Sequence, residues 1–264
     1  MPRCWKNWKA GTDMATVKHV YDVINEAADF STAMDFDNPG LLVGDPEEMV
    51  RGTVVALDAT DAVIAEAAGR GANLIVTHHP VIFHPIKKVT ADMPVYKLVR
   101  AGISVISAHT NLDKAPGGVN DILCARLGLQ NVAVVGEDGM LRAGTLARGM
   151  TPPEFAYYVK RLLDDQAVRY CDGGRAVERV AVCGGSGGSF LAEAAANGCQ
   201  ALVTGDVKHD VMLDAVRMGI TVIDAGHYGT ERFVVEYLAE LCKRALPDVP
   251  VAVAHADASP TTTI

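Results

Sequence analysis

The sequence predicts an α/β protein of two related lobes, and three observations carry that prediction. Short apolar runs alternate with alanine-rich helical segments along the 264 residues. The helical segments stop at Gly71, Gly102, Gly198 and Gly219, and glycine is the residue that helix C-termini favour. The chain also repeats itself.

Each lobe reads strand, helix, strand, helix, strand, the alternation that builds substantially parallel sheets. Residues 54–77 have a counterpart 127 positions later. Ala65-Glu66-Ala67-Ala68 meets Ala192-Glu193-Ala194-Ala195, Gly71 meets Gly198, and Val76-Thr77 meets Val203-Thr204. A second register, shifted by 117, sets Val99-Arg100 on Val216-Arg217, Gly102-Ile103 on Gly219-Ile220 and Val105-Ile106 on Val222-Ile223. The change of shift is a loop ten residues longer in the first copy. On this reading residues 1–13 are an N-terminal appendage, or Met14 is the true start. Residues 14–130 form lobe 1, and 131–254 form lobe 2, whose last helix is free to pack back on lobe 1. Residues 255–264 are a loose tail.

Composition narrows the function. Apolar residues make up 49% and charged residues 21%, a globular balance with ample core material. The net charge of −8 argues against a sequence-independent nucleic-acid binder, which needs a basic face to displace counterions. No apolar run approaches the roughly 18 residues of a membrane span. The six cysteines (Cys4, Cys124, Cys171, Cys183, Cys199, Cys242) are scattered without a C-x-x-C pair. They read as small buried residues of a reduced, cytoplasmic compartment.

Chemistry concentrates where strands end. His78-His79 follows the apolar run Ala72–Val76 and precedes Pro80. Neighbouring side chains on a regular strand point to opposite faces, but where strand gives way to loop both rings can converge. Convergent neutral imidazoles suit a borderline metal ion, and two in a row suit a pair of ions; two ordinary loop histidines are the alternative. After Ala108 the segment H-T-N-L-D places His109 four residues before Asp113, and after the matching strand H-Y-G-T-E places His227 four before Glu231. If a helix opens there, His227 and Glu231 share one face, one turn apart. Ligands in open α/β sheets gather beyond the carboxyl ends of strands, so a dinuclear metal cleft between the lobes is expected. Asp58, Asp61, Asp206 and His209 read either as further cleft groups or as helix caps and solvated residues. Cys183-Gly184-Gly185-Ser186-Gly187-Gly188 reads either as a phosphate cradle or as a tight glycine turn.

Several long motifs stand in fixed order: D-F-D-N-P-G-L-L-V-G-D (35–45), V-T-H-H-P-V-I-F-H-P-I-K (76–87), A-H-T-N-L-D-K-A-P-G-G-V-N-D (108–121), V-T-G-D-V-K-H (203–209) and D-A-G-H-Y-G-T-E (224–231). By these motifs the chain, from Met14 to about Lys243, resembles the NIF-three-like dinuclear-metal proteins, often named GTP cyclohydrolase 1 type 2 homologs. The resemblance implies five metal ligands: His79 and Asp113 on one ion, His78 and His227 on the other, and Glu231 bridging. It also implies a ring-shaped homo-hexamer with the sites facing an internal cavity. Phe36 and Leu42 stand where the family commonly has Trp and Gln. Nitrogen and oxygen ligands suit two divalent ions of zinc, iron, manganese or nickel.

The expected function is a dinuclear metal-dependent hydrolase acting on a nucleotide-like or other anionic small molecule. GTP ring opening is the form that the family name implies. The alternative is a non-catalytic hexamer that binds metal or serves as a scaffold. His109, beside the implied ligands, reads either as a general acid/base or as a donor that orients a ligand.

Overall fold

The computed structural model describes residues 15–165 and 167–262. The N-terminal appendage at 1–13, and Cys4 with it, lies outside the described residues. The chain divides into two compact units: residues up to Pro116 with Val234–Ala258, and Gly117–Phe233 with the residues from Ser259 onward.

The first unit begins with helix α1 (Val17–Ala27), which buries Val17, Val20 and Ile24 and is capped by Thr16. Strand β1 (Gly40–Val43), β2 (Thr53–Ala56), helix α2 (Asp61–Arg70), β3 (Leu74–Thr77), α3 (Pro94–Ala101), β4 (Ser104–Ser107) and the short α4 (Thr110–Lys114) follow. Strands β2, β3 and β4 are parallel neighbours, and every residue in them is buried. Their sequences T-V-V-A, L-I-V-T and S-V-I-S are near-continuous rather than alternating because helices cover both faces of a parallel sheet. β1 closes one edge antiparallel to β4.

The second unit holds α5 (Val119–Arg126), β5 (Gln130–Val135), β6 (Leu141–Met150), α6 (Pro152–Leu162), β7 (Arg169–Cys171), β8 (Val177–Val182), α7 (Leu191–Ala196), β9 (Ala201–Thr204), α8 (His209–Met218), β10 (Thr221–Asp224) and α9 (His227–Glu231). Its sheet runs β5-β6-β8-β9-β10-β7, parallel only through β8, β9 and β10. The chain then returns to the first unit through α10 (Val234–Ala245) and β11 (Val251–Val253).

The internal duplication is visible in the hydrogen-bond registers. Thr53 pairs with Leu74 in β2–β3, and Val180 pairs with Ala201 in β8–β9, so the shift of 127 carries one pair onto the other. Leu74 pairs with Ser104 and Ala201 with Thr221, so the shift has become 117 by the third strand. Each triplet also carries an antiparallel edge strand on its third member, β1 on β4 and β7 on β10. The extra ten residues lie in the long connection from β3 to α3.

One sequence-based boundary moves, and the last helix packs back on the first unit, as the sequence allowed. The division falls at Pro116/Gly117 rather than at 130, because α5 packs on β6 and β8 of the second sheet. Residues 234–254 belong to the first unit, where β11 pairs in parallel with β2 and α10 packs on α1 and β2. The tail is not loose throughout. The amides of His255 and Ala256 donate to the Glu66 carboxylate at 3.1 and 2.8 Å, and Asp257 accepts from the Leu57 amide at 2.9 Å. Among the described residues no helix is long and apolar enough to cross a membrane, and Cys124, Cys171, Cys183, Cys199 and Cys242 are free thiols. Burial pushes the Cys124 and Cys242 thiols up to about 12, so neither is a thiolate at neutral pH.

Candidate metal centre

In the first unit, β3 ends at Thr77 and β4 at Ser107, neighbouring carboxyl ends of parallel strands. Their hydroxyls lie 2.8 Å apart, and both donate to the carbonyl of His79, at 2.8 and 3.2 Å. The His79 amide donates back to Leu57 O at 3.0 Å. These bonds take the chain out of the strand path, and the two rings come together with centroids 5.0 Å apart. The His109 ring completes a triangle, 5.3 Å from His78 and 5.7 Å from His79. One ring nitrogen from each of the three lies within 4.8 Å of the others, close enough to share an ion.

What holds these rings is as informative as where they are. His78, fully buried, has Nδ1 2.7 Å from the Ala108 carbonyl, so that nitrogen carries the proton. His79 Nδ1 lies 2.9 Å from Asp58 Oδ1, and His109 Nδ1 lies 2.7 Å from Asp37 Oδ1. In each case an oxygen takes Nδ1, the arrangement that metal-binding histidines use. Asp113, on the first turn of α4, presents Oδ1 3.6 Å from His78 Nε2. That separation is close to the roughly 3.3 Å between two donors on one tetrahedral zinc with bonds near 2 Å.

Asp37 anchors the opposite side of His109. Its second oxygen accepts from the Thr110 amide at 3.0 Å and from the Thr110 hydroxyl. Burial pushes this carboxyl upward, but the hydrogen bonds from His109 and Thr110 and the charge of the imidazole outweigh it and hold the pKa at about 2. Asn111 locks the same turn, donating to Ala28 O at 2.7 Å and accepting from the His109 amide at 2.9 Å.

In the second unit, α9 opens at His227, so His227 and Glu231 share a face, with Nε2 3.1 Å from Oε2. His227 Nδ1 lies 2.8 Å from Asp206 Oδ2, repeating the carboxylate–imidazole pairing of the first unit. The Glu231 carboxylate is nearly buried and rests against the glycine loop. A Cβ on Gly185 would fall 2.3 Å from Glu231 Oε1, and one on Gly184 would fall 3.2 Å from its Cγ. The amides of Gly184, Gly185 and Gly187 donate to Asn120, Thr230 and Thr204 at 2.7, 3.0 and 2.8 Å. The loop is a tight turn with these three amides engaged internally. Its glycines make room for a carboxylate.

Of the further candidates, Asp58 and Asp206 each orient a histidine. Asp61 does not join them: it stands on the first turn of α2 and pairs with Lys97 at 2.6 Å. His209 is the exposed first residue of α8. Sequence reading gave no role to Asp37, 72 residues from its partner His109, nor to Asn120, because nothing local marks either contact.

The family model described as Duf34/NIF3 (NGG1p interacting factor 3) matches residues 15–261. A GTP cyclohydrolase 1 type 2 homolog of Clostridium acetobutylicum is 39% identical over 227 residues, covering 81% of this chain and 85% of that protein. A hypothetical protein of Staphylococcus aureus, solved by crystallography, is similar with a TM-score of 0.88 at 28% identity, over 96% of this chain and all of that one. A Bacillus cereus protein related to NIF3 shares the fold with a TM-score of 0.87 at 23% identity, over 96% of this chain and all of that one.

Proposed function

The chain belongs to the Duf34/NIF3 (NGG1p interacting factor 3) family, and from that premise we propose that it is a hydrolase dependent on two divalent ions. The observation that carries the reading is the treatment of the four histidines. His78, His79, His109 and His227 each have Nδ1 on an oxygen, three of these being carboxylates, so each Nε2 is in the tautomer that binds metal. The donor set fits zinc, iron, manganese or nickel. His78, His79, Asp113, His227 and Glu231 would hold the ions.

Bound there, such a pair acidifies water and neutralises the negative charge that develops in a hydrolytic transition state. The chain's own residues supply the rest. Asp58 and Asp206 fix the direction of their imidazoles. Asp37 holds His109 in the same way, and His109 Nε2 would pass a proton to or from a substrate. Asp113 and Glu231 return only two of the four positive charges that two divalent ions carry. Asp37, Asp58 and Asp206 stand behind their imidazoles, on Nδ1, so they would offset the ions' charge less than Asp113 and Glu231 and leave the centre cationic. That favours an anionic substrate such as a nucleotide, with GTP the first to try.

The same reading includes a cytoplasmic homo-hexamer. The free thiols suit a reducing compartment. Surfaces for assembly are suggested by the duplication itself. Tyr96 and Val99 on α3 are exposed, and so are Leu213 and Val216 on α8, the positions that the shift of 117 makes equivalent. Two copies of one helix have each kept an apolar pair in solvent, which suits burial between subunits.

The test is metal analysis followed by turnover. Reconstituted protein should take up about two ions per chain and hydrolyse GTP, a phosphoester or a short peptide, with His79→Ala inactive. Metal uptake without turnover of any of them, or turnover that survives His79→Ala, would reject the hydrolase.

A further inference from the structure

Among the exposed large apolar side chains of the described residues there are two phenylalanines, Phe36 at 63% and Phe83 at 36% exposure. They stand together. Their ring centroids are 6.3 Å apart at an interplanar angle of 61°, and Phe83 meets His109 edge-on at 6.0 Å. Phe36 is the residue before Asp37, which holds His109. The aromatic pair is thus continuous with the histidine triangle.

Neither ring is exposed because its loop is unanchored. Phe36 lies between Met34, whose amide donates to Thr110 Oγ1 at 2.9 Å, and Asp37, bound to His109 and Thr110. Phe83 follows Val81 and Ile82, which pack on the core of the first unit. Asn38 Nδ2 donates to the Ile82 carbonyl at 2.6 Å and ties the two loops to each other. The molecule presents two apolar rings to water on anchored backbone, beside its cluster of imidazoles. Farther along the second loop come the exposed Lys87 and Lys88.

We propose that Phe36 and Phe83 form a binding corner for a planar heteroaromatic ring, and that they select substrates carrying one. This rests on the reading of the histidine cluster as the reacting centre. Two rings inclined at 61° offer a planar ligand one face to stack on and one edge to meet, the two geometries that aromatic systems prefer. Stacking tolerates any flat ring, so the corner selects for planarity, and hydrogen bonding beyond it would distinguish one ring system from another. The patch is small and borders the imidazoles, which suits a ring held beside the reacting centre.

The experiment is calorimetric titration of the full chain, metal-loaded and metal-stripped, with guanosine, uridine and ribose. Guanosine and uridine should bind and ribose should not. Phe36→Ala and Phe83→Ala should each weaken nucleoside binding roughly five- to 150-fold, the usual range for one lost stacking contact. Phe36→Trp should keep or tighten binding and serves as the folded control. Binding should persist in metal-stripped protein and in His79→Ala, so a failed metal reading would show separately in metal content and turnover. Equal binding of ribose, or nucleoside binding indifferent to both alanine variants, overturns the proposal. So does a change of oligomeric mass in the alanine variants, which would assign the corner to a second copy of the chain.

Discussion

At the scale of single residues, the site is organised by what lies behind the histidines. Asp37 is the clearest case, with its side chain fully shielded and its pKa held at about 2. A carboxyl with a folded pKa below its unfolded value of 3.8 stabilises the protein above pH 4, and loses that contribution as pH falls toward 2. The contribution is at most roughly 2–3 kcal/mol. Asp37→Asn should therefore lower the melting temperature at neutral pH by several degrees. Its stability should fall less steeply than the wild type's between pH 4 and 2, as followed by urea titration at each pH. Parallel curves for the two proteins would contradict this account.

At the scale of elements, the glycine loop after β8 and the short helix α9 are mutually fitted. Gly185 has φ +61° and its missing Cβ leaves the space that the Glu231 carboxylate fills. Gly185→Ala incurs both backbone strain and a collision. Gly174→Ala, at φ +72° with open space around it, incurs only the strain, of roughly 1 kcal/mol. Gly185→Ala should therefore be the less stable of the two by thermal melting, and it alone should lose metal affinity, by tenfold or more. Equal metal titrations for the two variants would separate the loop from Glu231.

Much of this level was legible in the sequence. The shifts of 127 and 117 carry hydrogen-bonded pairs onto hydrogen-bonded pairs, because a duplicated hydrophobic pattern specifies a duplicated register. His78-His79 could be recognised as convergent because β3 ends beside it. Other features could not be read. Asp61 and Asp58 look alike in sequence, yet one stands on a helix's first turn and the other holds a histidine. Asp37 reaches His109 across 72 residues, and no local pattern encodes that. The placement of β11 beside β2 was hidden for the same reason: three apolar residues do not say which sheet they join.

At the scale of the whole molecule, the exposed pairs on α3 and α8 bear on assembly. Each pair is apolar, solvent-facing and separated by one helical turn. Val99→Asp and Val216→Asp leave the buried faces of their helices untouched, so the subunit should fold. Light scattering should then give a smaller particle than the wild type, with metal content per chain as the check on folding. A wild-type mass in both variants would remove these helices from the assembly surface.

The return of α10 and β11 to the first unit makes that unit discontinuous in sequence, while the second is one nearly uninterrupted stretch. On the ribosome the second unit has its whole sheet once Asp224 has emerged. The first must wait with the outer edge of β2 bare until Val253 follows. An unpaired strand edge is a template for wrong partners. Synthesis therefore leaves the histidine-bearing sheet unfinished longest, and its last three-residue strand closes it.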